Sequence, residues 1–208
     1  MSFGLSEEDR AGVEAARGSA GIPVAMIRDN LADIPESPIP SGYTFGPIAR
    51  EQIGLWTDIE RDAEPFFGID LAMFTSSFGT DISEISRRCH ILYDERGCGI
   101  GTISAWQEGI VRGIECGRVH WVAIRAAFQG RGLGKTLMSF GLQEMKRLNH
   151  HGALLETQSK REAAIGLYLK YGFRPSIATA AHRVAWEEIR AHRAHPLLND
   201  LDQYQIGA

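Results

Sequence analysis

The fold predicted for this chain depends on residues 119–136, VHWVAIRAAFQGRGLGKT. The apolar run at residues 119–124 is typical of a buried β-strand, and helical spacing begins at Leu133. Between them lies a turn with glycines at positions 130, 132 and 134. A glycine-rich turn between a strand and a helix presents backbone N–H groups to an anion, so this stretch predicts a phosphate-binding site.

Two common phosphate-binding loops fit this turn poorly. A Walker A loop needs a glycine five positions before its Gly-Lys pair, but position 129 is Gln and Gly130 leaves the loop one residue short. The dinucleotide fingerprint G-x-G-x-x-G would put its third glycine at Lys135. An NTP- or dinucleotide-binding enzyme therefore stays only as a remote alternative.

A third loop fits without adjustment. Gln129-x-x-Gly132-x-Gly134 resembles the [Q/R]-x-x-G-x-[G/A] pyrophosphate loop of the GNAT superfamily of acyl-CoA-dependent N-acetyltransferases. Downstream, AIGLYLKYGF at residues 164–173 resembles the superfamily's A-I-x-L-Y-x-x-x-G-F motif, and residues 122–124 resemble its apolar strand four. The interval between the two motifs has room for one helix and one strand, and the resemblance covers residues 43–175.

Patterning of the remaining sequence predicts a mixed α/β protein. Period-two strands are predicted at 89–93, 99–107 and 114–125, a strand at 153–157, and helices at 49–63, 66–88, 133–148, 161–170 and 180–192. The resemblance implies a GNAT-like fold, in which a central, mixed and mostly antiparallel sheet is splayed between strands four and five and flanked by helices. Thr80 or Asp81 is expected to cap a helix after a break near residues 76–79.

Two domain segments are expected. Residues 1–42 form an N-terminal helix, at residues 6–17, and a Pro-rich arm that contains four of the eight prolines between residues 22 and 43. Residues 43–208 form the GNAT-like acetyltransferase domain with a helical C-terminal tail; the tail's sequence favours a helix after at most one strand, and whether it replaces the superfamily's usual last hairpin stays open.

Composition limits the partners and the compartment. A net charge of -4 and a pI near 6.0 argue against a general nucleic-acid binder. Three cysteines, Cys89, Cys98 and Cys116, form no C-x-x-C pair, which favours reduced thiols and no metal site. The chain shows neither a signal-peptide pattern nor an apolar run of the ~20 residues that a membrane span needs, so we expect a cytoplasmic protein with no membrane partner.

The resemblance implies acetyl-CoA as the cosubstrate. The backbone of Val122, Ala123 and Ile124 would pair with the pantetheine arm, and one of these N–H groups would polarise the thioester carbonyl. Arg161 occupies the position of an asparagine that lies near the cofactor in many members. The alternative is that Arg161 only begins the helix on its solvent-facing side. The loop residues expected at the pyrophosphate are Gln129, Gly130, Arg131, Gly132, Leu133, Gly134, Lys135 and Thr136.

His120 is the first candidate for the general base, because an ammonium acceptor must lose a proton before it attacks. It aligns with the second histidine of the His-x-His-x-x-x-Val pattern of arylalkylamine acetyltransferases, whereas Arg118 replaces the first. Space filling in the strand and orientation of the substrate are the alternatives. Glu115 and Glu156 are reserve bases, each also explained as a solvated or paired carboxylate.

Tyr168 occupies the superfamily's helix-four tyrosine position, which implies proton donation to the departing CoA thiolate. The alternative is a core tyrosine on an amphipathic helix. Trp56, Phe66, Phe67, Phe74 and Phe78 either line an acceptor pocket or belong to the core.

The sequence thus predicts an N-acetyltransferase that moves the acetyl group from acetyl-CoA to a primary amine of a small molecule or peptide, by direct attack in a ternary complex. A non-catalytic acyl-CoA-binding GNAT-like module is the alternative. The acceptor wall is open to contributions from the tail, from the Pro-rich arm or from another subunit of a homodimer.

Overall fold

The computed structural model describes residues 7, 8, 18 and 20–205. Its strands are β1 (Pro23–Arg28), β2 (Thr44–Pro47), β3 (Cys89–Tyr93), β4 (Gly99–Val111), β5 (Ile114–Ile124), β6 (Gly152–Gln158) and β7 (Arg174–Ser176). Its α-helices are α1 (Ile53–Ala63), α2 (Leu71–Phe78), α3 (Ile82–Arg88), α4 (Leu133–Arg147), α5 (Glu162–Lys170) and α6 (Ala180–His192). The mixed α/β class is confirmed. The helix predicted over residues 6–17 lies outside the described residues except for Glu7 and Glu8.

Backbone contacts divide the described residues into two compact units, one within residues 29–153 and the other within residues 1–28 together with 154–208. The first unit contains four antiparallel strands in the order β2-β3-β4-β5. The predicted hairpin between β3 and β4 is confirmed. Asp94 closes its turn by accepting hydrogen bonds from the N–H groups of Arg96 (3.0 Å) and Cys98 (2.8 Å).

Helices pack on both faces of β4 in this unit. Phe78 of α2 contacts Trp106, with ring centroids 5.0 Å apart, whereas α4 places Gly141 against Ile103. Because successive residues of a strand point to opposite faces, positions 103 and 106 lie on opposite sides of the sheet. The helix break and cap are also as predicted, since the Asp81 carboxylate accepts from the N–H groups at the start of α3.

The second unit contains a strand that the sequence analysis did not predict. Residues 23–28 lie in β1, not in a Pro-rich extended arm, and β1 pairs antiparallel with β7 through Ala25 opposite Ser176. The side chains of Met26 and Ile27 are fully buried. Pro23 is the first residue of the strand, where a missing N–H is tolerated, so its presence gave no reason to exclude a strand.

The C-terminal tail is helical, as predicted. Thr179 caps α6 by accepting from the N–H of His182, and Trp186 of this helix is fully buried. Within the described part of the chain, no helix combines the length and the apolar character that crossing a membrane requires. The domain boundary at residue 42 and the splay of the sheet stay predictions.

Gly141 marks the closest approach of α4 to β4. A Cβ atom at this position would lie 2.4 Å from Cδ1 and 2.9 Å from Cγ1 of Ile103, which is itself buried. We therefore expect Gly141→Ala to lower the free energy of unfolding by about 1–3 kcal/mol through overpacking, although alanine is the better helix former. Urea denaturation measures the change.

Gly54→Ala is the matched control, because this glycine lies in α1 and a Cβ there would meet no atom within 4 Å. It should stabilise the protein by a few tenths to about 1 kcal/mol through helix propensity alone. Equal effects of the two substitutions would contradict the close packing of α4 on β4.

Candidate functional site

The glycine-rich turn lies between β5 and α4, as predicted. A short 3₁₀ turn at Ala126–Phe128 leads into it, and Gly130 (φ 75°) and Gly132 (φ 82°) adopt left-handed backbone conformations. Glycine adopts these dihedral angles without the steric cost that a Cβ brings. A Cβ at either position would meet no atom within 4 Å, so the space in front of the loop is open.

Five consecutive N–H groups of this loop are available to a ligand. In the described part of the chain, no hydrogen bond has the backbone N–H of Gly130, Arg131, Gly132, Leu133 or Gly134 as its donor. Gly132 precedes the first residue of α4, and no side chain caps this helix end. Free amides at a helix N-terminus, together with the helix dipole, bind phosphate groups. The loop therefore fits a pyrophosphate.

The side chains of several loop residues have structural roles. Gln129 donates from Nε2 to the carbonyl of Ile124 at 2.9 Å, which links the loop to the end of β5. The guanidinium of Arg131 donates to the carbonyl of Ala127 at 2.9 Å. Leu133 and Thr136 are buried, whereas Lys135 is exposed. Most of the predicted cofactor-binding residues are thus placed to act through their backbone.

A β-bulge precedes the segment predicted to bind pantetheine. Thr102 of β4 pairs with Ala123, but Ser104 pairs with His120, so β5 contains one more residue than β4 over this interval. Trp121 takes up the extra residue with a φ of 50°. Its indole N–H donates to the Ser77 hydroxyl at 2.8 Å. Such bulges re-aim backbone and side-chain groups near functional sites.

The carbonyl of Trp121 and the side chain of Glu60 meet at the Thr102 hydroxyl. This hydroxyl lies 3.2 Å from the Trp121 oxygen and also hydrogen-bonds to Oε1 of Glu60, a buried carboxyl group on α1. Neither Glu60 nor Thr102 was predicted as a site residue. Their proximity to Trp121 depends on the register of β4 and β5, which no local sequence pattern reports.

His120 is partly buried beside the bulge. Its imidazole contacts the rings of Phe78 and Trp121, with centroids 5.5 Å and 5.7 Å away. Burial, helped by the nearby charge of Arg118 and opposed by that of Glu108, lowers the pKa of His120 to about 4. The side chain is therefore neutral at pH 7. It is a weaker base than the near-neutral one expected from the sequence.

Arg118 and Glu108 form an ion pair across β4 and β5. The guanidinium donates from Nε to one carboxylate oxygen and from Nη2 to the other, the second bond measuring 3.0 Å. Both side chains are about four-fifths buried. Arg118, which replaces the first histidine of the arylalkylamine pattern, is therefore paired with a carboxylate. The positive charge of Arg118 still opposes protonation of His120.

The structure does not bring Glu115 to His120. Glu115 is exposed near the start of β5, opposite Ile110, and its carbonyl accepts from the N–H of His151 at 2.8 Å. His120 lies five positions farther along β5, which corresponds to roughly 16 Å at about 3.3 Å per residue.

Tyr168, Arg161 and Glu156 lie in the other compact unit. Tyr168 is buried in α5, with its ring centroid 6.2 Å from that of Phe173. Arg161 precedes α5 and makes no side-chain cap, and Glu156 is exposed in β6. Their catalytic and binding roles stay predictions.

The aromatic residues divide into core and surface. Trp56, Phe74 and Phe78 are buried in one hydrophobic cluster, whereas Trp106 and Trp121 at its edge are partly exposed. The core interpretation is therefore correct for the first three. Phe66 and Phe67 are not part of this cluster, and Phe67 is 43% exposed. Among the described residues, no group of three or more potential metal ligands converges.

Comparison with known proteins supports the resemblance. The acetyltransferase (GNAT) family matches residues 55–173, which is more than half of the chain. A mycothiol acetyltransferase from a Nocardioides species is 29% identical over 172 residues, which cover 81% of this chain and 52% of that protein. This chain thus spans about half the length of that curated relative.

Solved structures agree on the fold. A GCN5-related N-acetyltransferase from Sphaerobacter thermophilus superposes with a TM-score of 0.54 at 18% identity, covering 74% of this chain and 48% of that one. A chain of the NatC complex bound to Gag peptide and CoA gives a TM-score of 0.52 at 18% identity, covering 62% and 82%.

The depressed pKa of His120 predicts a pH dependence of stability. Its folded-state pKa of about 4 lies below the unfolded value near 6.5, so the unfolded chain binds more protons between these values and stability falls as pH decreases through this window. Between pH 7 and pH 5, wild type should lose about 2 kcal/mol more of its unfolding free energy than His120→Gln does. Urea denaturation at both pH values tests this, and equal losses would contradict the burial of a neutral His120.

Proposed function

Because the chain belongs to the acetyltransferase (GNAT) family, we propose that it transfers the acetyl group of acetyl-CoA to a primary amine of a small molecule or peptide. The observation that carries this proposal is the run of five N–H groups without hydrogen-bond partners, residues 130–134, at the start of α4. A diphosphate carries the charge and the closely spaced oxygens that such a run recognises.

In this proposal acetyl-CoA supplies an acetyl group activated as a thioester. The amides of residues 130–134 hold its pyrophosphate, and the side chains of Arg131, Lys135 and Arg161 add positive charge. The backbone of Val122, Ala123 and Ile124 pairs with the pantetheine arm. One N–H of this segment donates to the thioester carbonyl and stabilises the oxyanion that forms there.

The amine attacks the thioester carbon directly in the ternary complex. A C–N bond forms, the C–S bond breaks, and the amine nitrogen loses a proton. A neutral His120 accepts that proton, directly or through water, once the attacking nitrogen becomes acidic in the tetrahedral intermediate. Glu115 and Glu156 are the reserve bases. Tyr168 donates its phenolic proton to the CoA thiolate.

The acceptor class is supported by two relatives. The Nocardioides relative is named for mycothiol, a small molecule, and the NatC structure contains a peptide with CoA. The weak basicity of His120 favours one alternative, a module that binds acyl-CoA without turnover. A cytoplasmic location, a homodimer, and the absence of nucleic-acid and membrane partners stay predictions from the sequence.

Gly132→Glu tests the cofactor loop. A carboxylate at this position would fill the open space in front of the free amides and repel the pyrophosphate, so we expect no detectable binding of CoA or acetyl-CoA. Wild type, at a ligand concentration about a hundred times the dissociation constant, should gain roughly 2.7 kcal/mol of stability. Thermal unfolding with CoA, acetyl-CoA, ATP-Mg and NAD measures both.

Gly97→Glu is the matched control, since this turn glycine has a φ of 75° and equally open surroundings in the hairpin between β3 and β4. It adds the same charge and the same backbone strain, and it should retain CoA binding. Normal CoA affinity in Gly132→Glu would overturn the loop assignment. Stabilisation by ATP-Mg or NAD in place of CoA would indicate a nucleotide-binding enzyme.

Tyr168→Phe tests the thiolate donor. Loss of the phenolic proton should lower kcat by on the order of tenfold, with little change in acetyl-CoA affinity. Thiol release with a panel of amines measures turnover, and calorimetry measures binding. Unaltered turnover would assign Tyr168 to the core.

Tyr93→Phe is the control for loss of a phenol, because the Tyr93 hydroxyl is buried without a hydrogen-bond partner among the described residues. Its turnover should match wild type. Tight CoA binding with no amine-dependent thiol release in wild type would favour the non-catalytic module.

A further inference from the structure

Glu60 is a buried carboxyl group to which the proposed reaction gives no role. Its side chain lies on α1 and the residue is only 5% exposed, whereas Asp58 on the same helix is exposed and paired with Arg61. A carboxyl group is costly to bury unless hydrogen bonds replace its contacts with water. The partner of Glu60 at the site is the hydroxyl of Thr102.

The Thr102 hydroxyl connects Glu60 to the bulge. Thr102 is fully buried, and its hydroxyl is within hydrogen-bond distance of Oε1 of Glu60 and of the Trp121 oxygen, 3.2 Å away. The hydroxyl has one proton and donates to one of these oxygens at a time. Glu60 thus fixes the position of the hydroxyl oxygen, and the hydroxyl bonds the Trp121 carbonyl in the rotamer in which its proton points there.

The orientation of the Trp121 carbonyl determines the direction of the next N–H. The peptide unit is planar and trans, so the C=O of Trp121 and the N–H of Val122 point in opposite directions. A carbonyl held toward Thr102 thus aims the Val122 N–H away from Thr102. The positive φ of Trp121, which costs a non-glycine residue about 1–3 kcal/mol, is what turns this peptide unit out of the regular ladder.

The same helix holds the other end of this segment. Oδ2 of Asp62, one half-turn beyond Glu60 on α1, accepts from the N–H of Ala126 at 2.7 Å. Residues 122–125 therefore lie between two attachment points that both lead to the last turn of α1. A rigid support of this kind is what a preoriented hydrogen-bond donor requires.

We propose that Glu60 and Thr102 are positioning residues, which aim the backbone N–H of Val122 at the thioester carbonyl of bound acetyl-CoA. This inference rests on the proposed function, because it assumes that the thioester lies beside residues 122–124. It adds the device that orients the donor and names Val122 N–H as that donor.

Infrared spectroscopy of bound acetyl-CoA, labelled with ¹³C at the acetyl carbonyl, tests the proposal without an amine acceptor. A hydrogen bond to the thioester carbonyl lowers its stretching frequency. Wild type should show this downshift relative to acetyl-CoA bound by a variant without the positioning hydroxyl. Thr102→Val, which keeps the shape and removes the hydroxyl, is that variant, and Thr102→Ser should restore the downshift.

Kinetics provide the second measurement. In Thr102→Val, kcat should fall by about tenfold or more, while the dissociation constant of acetyl-CoA stays within about twofold, since one hydrogen bond to a neutral carbonyl adds little to binding and the same bond to the developing oxyanion adds much more. Glu60→Leu should behave alike. Glu60→Gln keeps an oxygen that accepts from the hydroxyl, so it should stay within about threefold of wild-type kcat.

Asp58→Asn is the matched control, because it removes a carboxylate from an exposed position of the same helix and should leave both measurements unchanged. If Glu60→Leu does not fold, Thr102→Val and Thr102→Ser still test whether the Thr102 hydroxyl positions the donor. A wild-type downshift and kcat in Thr102→Val would overturn the positioning role while leaving the proposed function intact. Failure of wild type to bind acetyl-CoA would overturn both.

Discussion

The extra residue in β5 is the constraint on which the candidate site depends. Thr102 pairs with Ala123 and Ser104 with His120, so this mismatch falls at Trp121, which adopts a left-handed conformation; a second register shift, between Gln107 and Gly109, lies farther along the same strand pair. A non-glycine residue stays in that conformation only if its surroundings compensate the strain. Here the Ser77 hydroxyl binds the indole and the Thr102 hydroxyl binds the carbonyl.

Side-chain hydrogen bonds hold the segment that connects the bulge to the glycine loop. Gln129 ties the loop to the carbonyl of Ile124, and Asp62 binds the N–H of Ala126 between them. The loop amides therefore stay free because side-chain groups, not these amides, hold the segment in place. The backbone N–H groups are then available to a ligand. Apolar side chains at residues 122–124 are therefore compatible with a binding role, because the backbone and not the side chains would contact the ligand.

How well each feature could be predicted depends on how far apart in the sequence the residues that determine it lie. Period-two and helical spacing predicted most strands and helices, because an element that buries one face has apolar residues at regular intervals in its own sequence, as in β3 and α6. The glycine-rich turn before α4 was predicted from its glycine spacing together with the resemblance to the [Q/R]-x-x-G-x-[G/A] loop. β1 was missed because the four prolines of residues 22–43 were given more weight than the apolar residues of PVAMIR. Glu60 and Thr102 were not predictable, since they are 42 positions apart and meet only in the folded register.

The environment of His120 bears on the timing of proton transfer. The imidazole is partly buried against Phe78 and Trp121, and Arg118 opposes its positive charge, so the pKa of His120 falls to about 4. Such a group cannot remove a proton from a free ammonium ion, whose pKa is about 10. It can accept a proton from the far more acidic nitrogen that has already bonded to the thioester carbon. If His120 is the base, the amine must therefore reach the site already neutral, and the oxyanion must be stabilised before the proton leaves. In that order, stabilisation of the oxyanion by the backbone N–H of Val122 contributes more to the rate than the basicity of His120 does.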